Sequence, residues 1–325
     1  MNFKWITLNV DLKPMKIHKT ILFALLFNIP FGAQASTGIA GCQGVEGPSL
    51  QVLGSGGPIA DDGRASSGYL IWVDGRSRFL VDAGGGVFLR FGETGARFED
   101  LEHLSISHFH TDHSADLVAL LKSGYFSSRS GALSISGPMT GGDYPGTGDF
   151  LERLLDKDNG AYAYLEGYLD GSDGLVELLA VEVDPGLTKA TRVYTDPDSD
   201  IDIHALGVPH GPVPSLAYRI RIGQKSIVFS GDQNGSSVGF IDFARDTDVL
   251  VMHMPIPENI TGIARKLHAP PSVIGKIAAE TGTGNLVLSH FMSRSLTNME
   301  ENLNQVRSHY DGPLTTAYDL DCVGF

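Results

Sequence analysis

The segment Ser107-His108-Phe109-His110-Thr111-Asp112-His113 places three imidazoles and one carboxylate within six residues. His108 and His110 are two apart, so on an extended backbone both rings point to the same side. Asp112 and His113 follow where the chain is expected to turn into a helix, and there they can face a second ion beside the first. Taking such a set out of water without a cation is costly. The chemistry these residue types support is therefore metal binding, and zinc is the ion that a nitrogen-rich donor set favours.

A dinuclear centre needs further donors, and the rest of the chain offers them at strand ends. His210 follows the apolar Ala205-Leu206-Gly207-Val208-Pro209, Asp232 follows Ser226-Ile227-Val228-Phe229 through Ser230-Gly231, and His290 follows Leu286-Val287-Leu288-Ser289. Any one of them alone reads as an ordinary polar residue closing a strand. Three of them, in a chain that already carries the cluster, read as ligands. Asp82, at a strand end before three glycines, is expected to orient a ligand through a hydrogen bond. His204 reads as structural or as a partner behind a ligand, and His103 and His309 as surface residues.

The elements that must position these residues are mostly strands. Tyr69–Val73 and Arg78–Val81 flank Asp74-Gly75, a favoured hairpin turn, and Leu104–Ser107 runs straight into the histidines. Ala115–Leu121 reads as a helix. Further strands are expected at Ile201–His204, Ser215–Ile222, Ser226–Ser230, Val249–Met252 and Leu286–Leu288, with helices at Pro271–Glu280 and Thr297–Val306. Residues 141–199 differ in character, acidic and punctuated by glycine. They read either as an insertion or lid beside the site or as an ordinary surface connection. Two strand-rich halves, each finishing in helices, imply two packed sheets covered by helices.

His-x-His-x-Asp-His, then a lone histidine, a Gly-Asp and a final histidine, resembles the metallo-β-lactamase superfamily, over Leu50 to His290. The resemblance implies an α/β fold, the four-layer αββα sandwich, with two Zn²⁺ per chain. One ion would take His108, His110 and His210, the second Asp112, His113 and His290, with Asp232 bridging. A bridging Asp232 is unlike true β-lactamases and resembles the phosphodiesterase-like branch, and the stretch His210–Ile220 is similar to ribonuclease Z. His268, in Leu267-His268-Ala269-Pro270-Pro271, resembles the extra histidine which that enzyme places over the scissile ester. A departure is Val251-Met252-His253-Met254, where ribonuclease Z has His-Glu. As a whole the arrangement most resembles secreted zinc-dependent arylsulfatases. This implies attack of a metal-bridging hydroxide on a small anionic sulfate ester, with Asp112 and His268 as catalytic residues. A phosphodiesterase of cyclic or small nucleotides is the alternative enzyme, and a zinc-binding protein without hydrolytic activity the alternative of another class.

Composition narrows the partners. With 42% hydrophobic and 19% charged residues the chain is globular, and 40 glycines imply many sharp turns. A formal charge of −14 lacks the basic footprint of a nucleic-acid binder, so no nucleic-acid partner is expected. Lys16, His18 and Lys19, the apolar run Ile21–Phe27 and Ala33-Gln34-Ala35 form a signal-peptide pattern. Residues 1–35 are accordingly expected to be removed, from a start at Met1 or Met15, leaving a hydrolase domain over 36–325 in the periplasm or outside the cell. No membrane attachment would remain, and a homodimer is left open. In an oxidising compartment Cys42 and Cys322 suggest a disulfide closing a 280-residue loop, two buried thiols being the alternative.

Overall fold

A computed structural model of the chain describes residues 42–325. The signal peptide expected over residues 1–35 lies outside the described residues. In the first half run β1 (Ser49–Gly54), β2 (Gly68–Val73), β3 (Arg76–Val81), β4 (His103–Ser105), β5 (Leu133–Pro138) and β6 (Leu178–Val183). In the second run β7 (Thr191–Asp196), β8 (Ile201–His210), β9 (Val213–Ile222), β10 (Lys225–Phe229), β11 (Val249–His253), β12 (Asn285–Ser289) and β13 (Leu314–Thr316). The last strand, β14 (Cys322–Gly324), returns to the first sheet. The sheet orders are β14-β1-β2-β3-β4-β5-β6 and β13-β12-β11-β10-β9-β8-β7. Each sheet begins as an antiparallel meander and continues as parallel strands.

The period-two alternation of strand side chains decides which residues face which layer. Tyr69, Ile71 and Phe79 of the first sheet meet Ile203, Tyr218, Ile227 and Val251 of the second, forming the core between the sheets. The alternate residues Leu70, Trp72 and Leu80 pack outward under the helices α1 (Val87–Glu93), α2 (Thr111–Ser114), α3 (Leu117–Gly124), α4 (Thr147–Leu155) and α5 (Gly167–Asp170). On the far side Val228, Leu250 and Leu288 pack in the same way. There the covering helices are α6 (Phe240–Phe243), α8 (Pro271–Thr281), α9 (Ser293–Leu296) and α10 (Met299–Arg307), while the short α7 (Ile263–Leu267) buries none of its residues. These are the four layers, helix, sheet, sheet, helix, that the motif implied. Asp74 and Gly75 both take positive φ, as the two-residue turn between β2 and β3 requires. Pro271 opens α8, and Gly282 closes it in the left-handed conformation.

Two expectations meet a different structure. Residues 141–199 hold α4 and α5 and also supply β6 and β7, the edge strands of the two sheets. His103 is not a surface residue. It is fully buried, with Ser134 Oγ at 2.9 Å and Ser136 Oγ at 2.8 Å from its two ring nitrogens, and burial pushes it down to about 3, so it stays neutral.

The two ends of the described residues are tied together. Cys42 and Cys322 form a disulfide with Cα atoms 5.7 Å apart, and β14 pairs with β1. Just before β14, Asp319 accepts hydrogen bonds from the backbone N–H groups of Ser55 and Ala65 and from Ser55 Oγ. The C-terminal segment thus pins the loop from β1 to β2, whose Pro58 lines the cleft described below. Replacing Cys322 with Ser is expected to lower unfolding stability by ~2–4 kcal/mol through release of a 280-residue loop. Urea unfolding under non-reducing conditions reads this, and an unchanged midpoint would remove the disulfide from the stability argument.

Candidate metal centre

All seven expected ligands gather at the strand ends in overlapping donor groups. β4 delivers His108 and His110, the short α2 carries Asp112 and His113, β8 ends in His210, and β10 and β12 lead into Asp232 and His290. His108 Nε2 lies 3.1 Å from His110 Nδ1, and its ring centroid is 5.0 Å from that of His210. On the other side His113 Nε2 is 3.1 Å from His290 Nε2, which is 3.2 Å from Asp112 Oδ2. Asp232 stands between the two groups, its Oδ2 at 3.6 Å from His210 Nε2 and 3.8 Å from His113 Nε2, its Oδ1 at 3.5 Å from His290 Nε2. The donor atoms of His108, His110 and His210 form one tight set, those of Asp112, His113 and His290 another.

This donor set fits a pair of divalent ions. His210 donates Nδ1–H to the Leu267 carbonyl at 3.0 Å, which leaves Nε2 as a buried acceptor with no hydrogen-bond partner among the described residues. Such an orphaned lone pair is expensive unless a cation meets it. Two imidazole nitrogens 3.1 Å apart likewise need a cation or a proton between them.

The supports behind the ligands are in place. Asp82 takes a positive φ of 60° and receives Ser107 N–H at 2.7 Å on one oxygen. Its other oxygen accepts His113 Nδ1–H at 2.7 Å, which turns Nε2 toward the pocket, as the sequence suggested. Gly231, at φ 56°, is required because a Cβ there would come within 2.3 Å of the Leu216 carbonyl oxygen. Burial pushes the His113 ring down, but Asp82, Asp112 and Asp232 outweigh this and hold it up at about 9. Burial pushes the Asp232 carboxyl up, while His290, His268 and His113 keep it well below the ordinary carboxylate range.

The structure adds three residues to the expected set. His253, at the end of β11, holds Asp232 Oδ1 through Nδ1 at 2.7 Å and meets the Tyr69 hydroxyl at 3.1 Å through Nε2. Its signal was visible: the apolar Val249–Met252 runs into a histidine just as Leu286–Ser289 does, and the register sets His253 opposite Ser289. Arg294, in α9, lines the same cleft as His110, Asp112, His268 and His290. Its Nε donates to the Pro255 carbonyl at 2.8 Å, and among the described residues no carboxylate pairs with it. Tyr144, from the 141–199 segment, lies with its ring 6.0 Å from that of His110. His268 enters from the loop after α7. Its buried Nδ1 has no hydrogen-bond partner among the described residues and lies 3.8 Å from Asp232 Oδ2, and burial pushes the ring down to about 3. The cleft has a volume of 470 Å³.

A family profile described as "Anti-Pycsar protein Apyc1" matches residues 48–139, which include the histidine cluster. Ribonuclease Z of Pseudomonas putida (strain GB-1) is 26% identical over 312 residues, covering 83% of this chain and 95% of that protein. The metallo-β-lactamase fold protein YhfI from Bacillus subtilis superposes with a TM-score of 0.65 at 22% identity, covering 85% of this chain and 98% of its own. The chain has the metallo-β-lactamase fold. The short form of human tRNase Z also shares this fold, with a TM-score of 0.63 at 17% identity and the same two coverages, 85% and 98%.

These relatives correct two expectations. Similarity across most of the chain runs to proteins named ribonuclease Z, so the arylsulfatase reading is set aside, and so is the exclusion of nucleic acid as a partner. The physical reason is that a net charge summed over the surface says little about a recessed cleft. Arg294, and any cations held by the ligand set, would fix the sign of the field there.

A proton on His113 or His290 competes with an ion for Nε2. With His113 held up at about 9, ion binding at pH 7 is expected to release protons, and affinity should rise with pH until about 9. The stabilisation that the charged His113 gives the ion-free protein is complete below its ordinary value near 6.5 and lost as pH rises through about 9. Calorimetric titration with Zn²⁺ in two buffers of different ionisation enthalpy measures the release, and zero protons released would contradict the assignment.

Proposed function

We propose that this chain is a metal-dependent hydrolase of phosphodiesters, acting on nucleotide or nucleic-acid substrates. One observation carries the reading: a single cleft lined by His110, Asp112, His210, Asp232 and His290 of the His/Asp cluster also holds a guanidinium that no carboxylate among the described residues neutralises. A protein that only stored zinc would have no use for Arg294. The ribonuclease Z relatives support a phosphodiester rather than another ester.

His108, His110 and His210 would hold one ion, Asp112, His113 and His290 the other, and Asp232 would contact both. The nitrogen-rich set favours zinc. Bound there, a dinuclear centre supplies a water acidic enough to act as a nucleophile near neutral pH and neutralises charge building on phosphate oxygens. The remaining work falls to the protein. Arg294 offers the free end of a planar fork that can pair with a non-bridging phosphate oxygen. His268, neutral because buried, can give an N–H hydrogen bond to a phosphate or leaving-group oxygen rather than act as a cationic acid. His253, donating Nδ1–H to Asp232 Oδ1, fixes the rotation of that carboxylate so that Oδ2 stays turned toward His210 and His113. Leu267, Pro58 and Met292 form apolar walls that limit water around the reacting ester. The disulfide supports folding in an oxidising compartment and with it the exported location suggested by the N-terminal pattern.

Zinc-loaded protein is expected to hydrolyse bis-p-nitrophenyl phosphate, with turnover lost in Asp112→Ala. Arg294→Ala should raise KM roughly ten-fold or more, the loss of a charge-assisted hydrogen bond, at unchanged zinc content. Steady-state kinetics together with metal analysis read both. Full zinc occupancy with no turnover on any phosphodiester would end this reading.

A further inference from the structure

A second cavity of 720 Å³ shares His210 with the metal cleft. Its walls are the tip of the β8–β9 hairpin, the turn Pro185–Thr188, the turn at Gly141–Gly142 and the segment before α6. These walls are closely fitted. A Cβ on Gly207 would stand 1.9 Å from the Pro185 carbonyl oxygen, and one on Gly141 would stand 2.6 Å from the Pro214 ring. Gly141 pairs with Tyr144 through two backbone hydrogen bonds. One small hairpin therefore borders the cavity with its glycines and approaches His110 with its tyrosine.

The chemistry of the two spaces differs. The metal cleft holds the charges a phosphate needs. The second cavity has no lysine or arginine, and its one carboxylate, Asp242, is already paired with Arg245 at 2.6 Å. Leu187 at 49% and Val238 at 94% exposure offer apolar surface there, beside backbone groups of the surrounding turns. Such a lining offers a free anion no counter-charge but suits a flat, uncharged ring with polar edges. Because His210 lines both spaces, the occupant argued for here is a group attached to the ester held in the metal cleft.

We propose that this cavity is a nucleoside subsite, seating the sugar and base on one side of the scissile phosphate, an inference that rests on the phosphodiesterase reading. The substrate then spans His210, with its phosphate against the ligand set and Arg294 and one base against Leu187 and Val238. A diester whose flanking group is only a methyl leaves the subsite empty.

The test is the double variant Leu187→Asp/Val238→Asp, two exposed positions outside the metal centre. Its kcat/KM is measured on the dinucleotide UpU and on methyl p-nitrophenyl phosphate. We expect a fall of roughly ten-fold on UpU, with the methyl ester unchanged within about two-fold. Equal effects on both, or none on UpU, would overturn the subsite. A changed sedimentation coefficient with UpU turnover intact would assign the face to a second copy of the chain and equally overturn it. Calorimetric binding of a non-hydrolysable dinucleoside methylphosphonate separates this inference from the activity beneath it. If wild-type protein cleaves neither ester, the phosphodiesterase reading fails, yet binding weakened by the double variant still supports the subsite and absent binding overturns it.

Discussion

Asp232 is a carboxylate at 2% exposure with imidazoles of His210, His113, His290 and His253 around it, all within 3.8 Å. A buried anion is tolerated only when its surroundings supply positive charge and hydrogen bonds. Here His253 gives one hydrogen bond, and the others present nitrogen lone pairs or protons, depending on what sits between them. The ion-free pocket can balance itself only by keeping protons on rings such as His113. Bound cations remove that need. Folding and metal binding therefore draw on the same side chains, and the sheets must hold them in place while they do.

The sheets do so by ending their strands together. β3, β4, β8, β10, β11 and β12 all stop at one rim, and at or just past the end of each stands a ligand or its support. Two of these residues, Asp82 and His290, take positive φ, a strained conformation for a residue with a side chain. Their surroundings enforce it. Asp82 is held by Ser107 and His113, and beside His290 the Phe291 N–H bonds the Ser55 carbonyl. The loop carrying Ser55 is gripped in turn by Asp319, next to the disulfide-linked strand β14. Packing far from the ions thus reaches the ligand geometry through short covalent and hydrogen-bonded links.

That rim was legible in the sequence because its signal is local. A histidine or aspartate that breaks a run such as Leu286-Val287-Leu288-Ser289 stands out against its neighbours, and three glycines after Asp82 announce a sharp turn. What was not legible depends on pairing between distant segments. His253 becomes a partner of Asp232 only when β11 lies between β10 and β12. β6 and β7 were hidden because edge strands are half exposed and lack a clean apolar run, as Leu179, Ala180 and Glu182 show. His103 read as a surface residue because nothing in a sequence reveals the two serine hydroxyls that β5 sets against it. Arg294 is one basic residue among 24, marked by nothing but its place in the fold.

The same distinction explains the misreading of substrate. A charge of −14 is a property of the whole surface, and at physiological salt its field decays within roughly 8 Å of each exposed group. A recessed cleft with apolar walls responds instead to the charges that line it. Asp112 and Asp232 there would be outnumbered by two divalent ions and Arg294, so an anionic ester would meet net positive charge beside the ligand set. An acidic exterior still acts on a long polyanion, which must bring many phosphates near the surface. It acts far less on a short substrate or a strand end that places one phosphate deep in the cleft. Overall charge therefore bears on how much of a long polyanion could lie along this protein, whereas the group that can approach the ligand set is decided by the charges and walls of the cleft itself.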